Sequence, residues 1–203
     1  MNSRHIEEYI TPFERVLSYG HKHEYTSSLM ERSISYSPYF QDIENDIFGL
    51  SPIISEEFLV NSIFGLSDAK TIGLPVYNQC LWAAEAYLRI QGKTYLTFEC
   101  IFLYIPIKKM YQYFPLYHEM DFSQIVDEFI RLYKEKSVIS ILSKNYRYST
   151  NDLCEKTGIP YSTLYSLKQR RRNILKLNFE SVSKLARVFN VRMETISELK
   201  IKQ

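Results

Sequence analysis

Cationic side chains are concentrated towards the C-terminal end of this 203-residue sequence. The run Lys168–Arg172 (KQRRR) places four of them within five positions. Ammonium and guanidinium groups bind phosphate oxygens, and each phosphate that they neutralise on a nucleic acid releases counterions. From Arg147 onward the sequence carries twelve Lys or Arg against five Asp or Glu, a net of +7, whereas the preceding 146 residues carry a net of −5. The chemistry therefore predicts a polyanion-binding C-terminal part attached to an acidic N-terminal part with another task.

Groups that could support catalysis or hold a metal ion are few and scattered. His21 and His23, with Glu24 beside them, supply fewer ligands than a metal site needs. The sequence contains no G-x-S-x-G, no glycine-rich phosphate loop and no H-E-x-x-H. The three cysteines are widely spaced and form no C-x-x-C pair: Cys80, Cys100 and Cys154. These features predict a protein from a reducing compartment that is not an enzyme and has no disulfide framework, metal or cofactor.

The apolar residues are too dispersed for a membrane protein. The longest apolar stretch, Cys100–Ile107, has eight residues and is broken by Pro106, whereas a membrane-spanning helix needs about 20. The first residues, MNSRHIEEYITPFERV, contain no apolar core of the kind that a secretory signal has. With 24% charged and 45% hydrophobic residues, the composition predicts a soluble, cytoplasmic protein that does not contact a membrane.

Two short helices joined by a tight turn are predicted next to the basic run. Within Thr150–Asn173, Gly158 supplies the positive φ that such a turn needs. Pro160 and Ser162 then favour the start of a second helix. Cys154 lies four positions before Gly158, where closely crossing helices admit only a small side chain, so we expect this thiol to be an apolar filler. The other buried positions of the pattern are all apolar: Leu153, Ile159, Leu164 and Leu167.

This register of one small residue, one glycine and four apolar positions resembles the Xre-type helix-turn-helix family, the class of the phage lambda repressor and Cro. The resemblance covers about the last 65 residues and none of the first 120 or so. It implies a five-helix DNA-binding domain, with Ser137–Tyr146 as the first helix, Phe179–Asn190 as the fourth and Val191–Leu199 as the fifth. It also implies a protein that binds double-stranded DNA, and a prokaryotic origin is the usual setting of the family.

The resemblance further implies two sets of DNA contacts. In this motif the second central helix, the recognition helix, enters the major groove and its first side chains reach base edges. The expected base-reading residues are Tyr161, Ser162, Thr163, Tyr165 and Ser166. The expected phosphate contacts lie at the start of the first central helix and just after the recognition helix: Thr150, Asn151, Lys168, Gln169, Arg170, Arg171, Arg172 and Asn173.

Two features of these residues shape the expected recognition. The base-reading set offers hydroxyls and rings but no Arg, Asn or Gln for a bidentate contact to a purine, so we expect thymine methyl groups, water and DNA shape to contribute. Many members of the family carry a glycine where Arg170 stands. We therefore expect the recognition helix to continue for a further turn in this protein.

The remainder of the chain is predicted to be helical, which makes the expected fold all-α. Ser55 caps a short helix that ends near Gly65. The segment Val76–Gln91 forms an amphipathic helix that Gly92 ends. The aromatic and β-branched residues of Thr94–Ile105 suit a buried strand or a buried helix, and we favour a helix because no partner strand is predicted elsewhere.

A single long helix is predicted to connect the two parts. No glycine or proline interrupts Asp121–Asn145, and its apolar residues keep a spacing of three to four. We therefore expect a helical domain at residues 1–120, a connecting helix at 121–136 and the DNA-binding domain at 137–203. Such a connection would fix the angle between the two domains.

Two functions of different classes fit these features. The first is a sequence-specific transcription regulator, a repressor, that binds an inverted-repeat operator as a homodimer; its N-terminal domain would dimerise, sense a small ligand or bind a protein. The alternative is an antitoxin or phage-type inhibitor whose N-terminal domain binds a protein target while the helix-turn-helix autoregulates its own promoter. RNA binding is less favoured because the motif suits the wide major groove of B-form DNA.

Overall fold

The residues that the structure describes fold into helices, many of them joined by brief turns. The structure is a computed structural model that describes residues 3–45, 55–67, 75 and 77–198, with side chains from Ile6 onward. Within these ranges all regular structure is helical and no strand is present, which confirms the all-α prediction. The α-helices are α1 (Ser3–Lys22), α2 (Ser27–Tyr36), α3 (Pro38–Glu44), α4 (Glu56–Phe64), α5 (Asn78–Thr94), α6 (Phe98–Tyr104), α7 (Ile107–Tyr117), α8 (Ser123–Glu135), α9 (Val138–Asn145), α10 (Thr150–Thr157), α11 (Tyr161–Lys168), α12 (Phe179–Phe189) and α13 (Met193–Ser197), and a 3₁₀ turn covers Ile174–Lys176.

The N-terminal part is organised around α1 and α5, which pack against each other. Two adjacent alanines of α5, Ala83 and Ala84, are fully buried, and small side chains let neighbouring helices approach closely. On α1, the buried ring of Phe13 meets Phe40 at 4.6 Å and Phe98 at 5.5 Å between centroids, both edge to face. Aromatic packing therefore joins α1, α3 and α6 into one core.

Two helix predictions in this part are confirmed. The side chain of Ser55 caps α4, and the helix ends at Gly65, whose φ is +65°. The ambiguous segment Thr94–Ile105 contains α6, so its central residues are helical rather than extended.

The predicted end of α5 is wrong. The helix continues through Gly92 and ends only at Tyr95, which adopts a left-handed φ of +58° and donates its backbone N–H to Gln91. A glycine permits a helix end but does not impose one when the next residues keep their helical hydrogen bonds. The predicted first residue of this helix, Val76, lies outside the described residues.

The prediction of one uninterrupted helix over Asp121–Asn145 is also wrong. The helical conformation is interrupted at Lys136, whose backbone is extended, between the end of α8 and the start of α9. Ser137 starts the second helix, because its hydroxyl accepts the backbone N–H of Ser140 at 3.1 Å. A serine cap can therefore divide an apolar pattern that contains neither glycine nor proline.

The C-terminal part consists of the five helices α9–α13, as the resemblance implied. α13 packs against α6 as well as α9, and the buried residues of both parts form one continuous hydrophobic cluster. The fifth helix ends at Ser197; its predicted end, Leu199, lies in the segment 199–203 outside the described residues. In the part of the chain that the structure covers, no helix is long and apolar enough to cross a membrane.

Candidate nucleic-acid interface

Local hydrogen bonds fix the turn between α10 and α11. α10 begins with a capping box, in which the backbone N–H groups of Asp152 and Ser149 each donate to the other's side chain. At its end Gly158 adopts a left-handed φ of +69°, as predicted. The next residue, Ile159, donates its N–H to the hydroxyl of Thr157 at 3.2 Å, so the buried turn keeps its polar groups satisfied.

The predicted buried register of the motif is confirmed. Leu153 and Leu164 have no exposed surface, and Ile159 and Leu167 are at most 5% exposed. Cys154 is half-buried and packs against the same core. These contacts set α10 and α11 against each other and leave the opposite side of α11 free of the core.

α11 presents an aromatic and hydroxylated face to solvent. Tyr161 and Tyr165 are 53% and 42% exposed, and their rings stack nearly parallel with centroids 6.1 Å apart. Ser162 is exposed beside them, while Thr163 and Ser166 are half-buried. The Ser166 hydroxyl donates to the backbone carbonyl of Ser162 at 2.7 Å, so its proton is used within the helix. Of the five expected base-reading residues, the two tyrosines and Ser162 are thus the most exposed.

Three of the expected phosphate-contacting cations flank this face. Lys168 Nζ lies 3.4 Å from the Thr150 hydroxyl, which joins the end of α11 to the start of α10. Arg172 Nη1 donates to the Thr163 hydroxyl at 3.3 Å and so lies beside α11, while Arg171 is exposed. Among the residues that the structure describes, no carboxylate forms an ion pair with Lys168, Arg171 or Arg172.

The polar members of the expected phosphate set are placed around these cations. Asn151 on α10 and Gln169 after α11 are both exposed. The side chain of Asn173 accepts the backbone N–H of Leu175 at 2.9 Å and caps the 3₁₀ turn. Its side-chain oxygen is therefore engaged locally, although the residue is exposed.

The prediction that the recognition helix continues past Arg170 is wrong. α11 ends at Lys168, and Arg170 adopts a left-handed φ of +54°, the conformation that glycine favours at this position. The Arg170 N–H donates to the carbonyl of Leu167 at 3.1 Å. The Arg171 N–H donates to the carbonyl of Ser166 at 2.8 Å. This pair of bonds closes the helix as a glycine would, although a side chain in this conformation costs about 1 kcal/mol.

The guanidinium of Arg170 is occupied by contacts within the protein. It donates to both carboxylate oxygens of Glu198, at 3.1 and 3.2 Å, and to the backbone carbonyl of Lys136 at 2.7 and 2.9 Å. It also donates to the Tyr104 hydroxyl at 3.0 Å and lies over the Tyr133 ring, 4.7 Å from its centroid. The structure therefore shows internal partners for the Arg170 guanidinium, which was expected to contact a phosphate.

Arg170, Tyr104 and Tyr133 each keep one protonation state across the physiological pH range. Burial lowers the pKa of the Arg170 guanidinium, but the charge of Glu198 and the neighbouring phenols raise it, and the net pKa lies above its ordinary value. Burial raises the pKa of Tyr104 and Tyr133, and the nearby Glu198 carboxylate raises both further. Arg170 therefore stays charged while both phenols stay neutral.

A second arginine also joins the two parts of the molecule. Arg192, immediately before α13, donates to the two carboxylate oxygens of Glu44 at 2.9 and 3.0 Å. The Glu44 side chain is only 1% exposed. On α6, Glu99 accepts the backbone N–H of Arg192 at 3.0 Å and the hydroxyl of Thr195 at 2.6 Å. Two carboxylates of the N-terminal part thus hold the start of α13.

These two arginine clusters were not identified from the sequence. Their partners are distant along the chain, with Glu44 and Arg192 separated by 148 positions. The one local signal was the arginine at position 170 in place of the family's glycine. An arginine at this position indicates a side chain that makes contacts of its own, whereas the sequence analysis predicts a longer helix.

His21 and His23, the histidine pair considered as metal ligands, lie against other side chains. His21 Nε2 lies 3.3 Å from Gln79 Nε2, and His23 stacks on the ring of Tyr19. No cluster of three or more His, Cys, Asp or Glu side chains that could hold a metal ion occurs within the described ranges.

Residues 138–201 match the family model of the Cro/C1-type helix-turn-helix DNA-binding domain. The match covers α9–α13 and supports a DNA-binding transcription regulator. Domains of this type are typically not enzymes. No curated protein and no solved structure matches the chain. The N-terminal part, with α1–α8, is unrecognised by these comparisons.

Proposed function

We propose that this protein is a transcriptional repressor that binds an inverted-repeat operator as a homodimer. The observation that carries the proposal is the outer face of α11. There, two stacked tyrosines and Ser162 are exposed, and cations without carboxylate partners among the described residues flank them. Such a face fits the major groove, where base edges form the floor and phosphates line both walls.

Base recognition in this proposal rests on hydroxyls and rings. The hydroxyls of Ser162 and Thr163 can donate to or accept from base edges, and the Thr163 methyl can pack against a thymine methyl. The stacked rings of Tyr161 and Tyr165 offer a larger apolar surface to a thymine methyl group. Because Ser166 uses its proton within the helix, we assign it a smaller share of the recognition.

Phosphate contacts orient the motif on the duplex. They come from the start of α10 and from the segment after α11: Thr150, Asn151, Lys168, Gln169, Arg171, Arg172 and Asn173. Each cation that neutralises a phosphate steepens the fall of affinity with salt. Arg170 is left out of this set because its guanidinium is held by Glu198 and by the Lys136 carbonyl.

A dimer of this domain would read two half-sites related by a two-fold axis. Occupying a promoter is enough for repression, whereas activation needs an additional contact to the transcription machinery, and for that reason we propose a repressor. We propose that the N-terminal part dimerises, senses a ligand or binds a protein in the cytoplasm. Apolar side chains exposed there include Phe58, Leu116 and Met120.

In vitro selection from random duplex DNA with the full-length protein tests this function. We expect enrichment of an inverted repeat whose half-sites are centred about one helical turn, or a multiple of it, apart. Enrichment of a single half-site would refute the homodimer but retain the DNA reader. Recovery of no consensus at low and at moderate salt would refute sequence-specific binding.

A further inference from the structure

The C-terminal end of the recognition helix is attached to the N-terminal part of the molecule. Two residues beyond α11, Arg170 reaches Tyr104 on α6, the ring of Tyr133 on α8 and the carbonyl of Lys136 between α8 and α9. The Tyr104 hydroxyl donates to the same carbonyl at 2.8 Å. One guanidinium therefore contacts three elements that lie outside the two helices of the motif.

The carboxylate of Glu198 completes this attachment. It accepts from Arg170, from the Tyr133 hydroxyl at 3.0 Å and from the backbone N–H of Val138 at 3.2 Å. Separately, the Ser137 hydroxyl donates to the carbonyl of Lys168, the last residue of α11, at 3.0 Å. The end of α11 is thus tied to the break between α8 and α9 by a side-chain cluster and by a direct hydrogen bond.

Both the backbone and the side chain of Arg170 support a role within the protein. Glycine would close α11 without strain, whereas an arginine there holds the left-handed conformation that L-residues disfavour. Its side chain is 29% exposed and makes charge-assisted hydrogen bonds to Glu198. An exposed phosphate-binding arginine would need none of these internal partners.

We propose that Arg170 is a positioning residue that fixes the recognition helix to the N-terminal part, so that both parts move as one body on DNA. Its partners Tyr104, Tyr133 and Glu198 then belong to the DNA-reading apparatus without touching DNA. Only the effect on DNA rests on the proposed function. The mechanical coupling can be measured on the protein alone.

The coupling test uses the single tryptophan of the chain. Trp82 lies on α5, is 7% exposed and packs against Phe114 and Phe122, so its fluorescence reports unfolding of the N-terminal part. Far-UV circular dichroism reports all of the helices. In urea, we expect the two signals to give one midpoint for the unaltered protein and midpoints separated by about 0.5 M or more for Arg170→Ala.

The DNA test compares two adjacent arginines. Arg171→Ala removes an exposed cation, so the slope of log affinity against log salt should become shallower by about one for each protomer on the duplex. Arg170→Ala should leave that slope unchanged and lower the affinity roughly three- to tenfold at every salt concentration, because binding must then reorient a loosened helix. Arg170→Lys, which keeps the charge but not the planar fork, should behave like Arg170→Ala.

Arg170→Gly is a second variant for the case that Arg170→Ala does not fold. Glycine suits the left-handed backbone, and the substitution still removes the guanidinium. It should also separate the two unfolding signals. Coincident midpoints in both Arg170→Ala and Arg170→Gly would overturn the proposal. So would a shallower salt slope in Arg170→Ala that Arg170→Lys restores, because that pattern defines a phosphate contact. Failure of the proposed function would look different, since the unaltered protein would itself show no salt-dependent binding to duplex DNA.

Discussion

Three carboxyl groups of the N-terminal part lie largely out of solvent: Glu14 and Glu44 are 2% exposed and Glu31 is half-buried. Glu31 Oε1 accepts the backbone N–H of Ile107 at 2.8 Å. Burial raises the pKa of this carboxyl from 4.5 to about 7, and that hydrogen bond lowers it only in part. Burial likewise raises the pKa of Glu14 and Glu44. All three groups therefore make the free energy of unfolding depend on pH with the same sign.

The pH dependence at Glu31 gives a testable prediction. Its pKa is higher in the folded than in the unfolded state, so the folded protein binds the extra proton between about pH 4.5 and 7. The stabilising contribution is complete below pH 4.5 and is lost as the pH rises through 7. Glu31→Gln keeps the acceptor for Ile107, and should raise the free energy of unfolding at pH 8 by on the order of 2 kcal/mol with little change at pH 5.

Urea unfolding at both pH values measures this difference. The exposed Glu8→Gln on α1 is the matched control and should change neither value. Equal effects of Glu31→Gln at pH 5 and pH 8 would contradict the assigned protonation.

The packing of helices depends on charged contacts as well as on apolar ones. Arg192 joins the start of α13 to α3 through Glu44, whose side chain is 1% exposed. Removing one partner of a buried pair leaves the other charge unpaired, which costs about 3–5 kcal/mol. We therefore expect Arg192→Ala to lower the free energy of unfolding by about that amount at pH 8.

A smaller loss of stability in Arg192→Ala at pH 5 than at pH 8 would show that the unpaired charge of Glu44 causes the loss. Without Arg192, the pKa of Glu44 rises further, so protonation at pH 5 should remove part of the penalty. The double variant Glu44→Gln/Arg192→Met should recover most of the stability at pH 8, because it removes both charges of the Glu44–Arg192 pair while glutamine still accepts from Phe98 N–H. If Arg192→Ala lost the same stability at both pH values and the double variant recovered none of it, the cause would be lost packing instead.

Helix positions were more predictable than helix ends. The buried register around Gly158 is predictable from the sequence, because the glycine of the turn, the small residue and the apolar residues all lie within one short segment. The ends at Gly92 and near Ser137 were misjudged, because glycine permits a helix to continue and a serine cap competes with an apolar pattern. These outcomes depend on which hydrogen bonds the surrounding fold completes, such as that of Ser137 to Lys168.

The molecule as a whole is not a DNA-binding domain on a flexible tether. One hydrophobic cluster runs through both parts, and two arginine clusters cross between them. The sequence indicated the motif and its exposed face, since those depend on near neighbours. It did not indicate that α6 and α8 support the recognition helix, because contacts such as Arg170 to Tyr104 join residues 66 positions apart.

Comparing the affinity for the selected operator with that for a scrambled duplex tests whether the outer face of α11 reads the DNA sequence. Fluorescence anisotropy would give both affinities for the full-length protein, for Tyr161→Ala/Tyr165→Ala and for Phe58→Ala, which removes a 63% exposed ring from α4. Both tyrosines are exposed, so the double variant should keep its unfolding midpoint. We predict that it loses most of the preference for the operator and binds the scrambled duplex within about threefold of the unaltered protein. Phe58→Ala should keep the full preference. An undiminished preference in the tyrosine variant would contradict the claim that the outer face of α11 reads DNA.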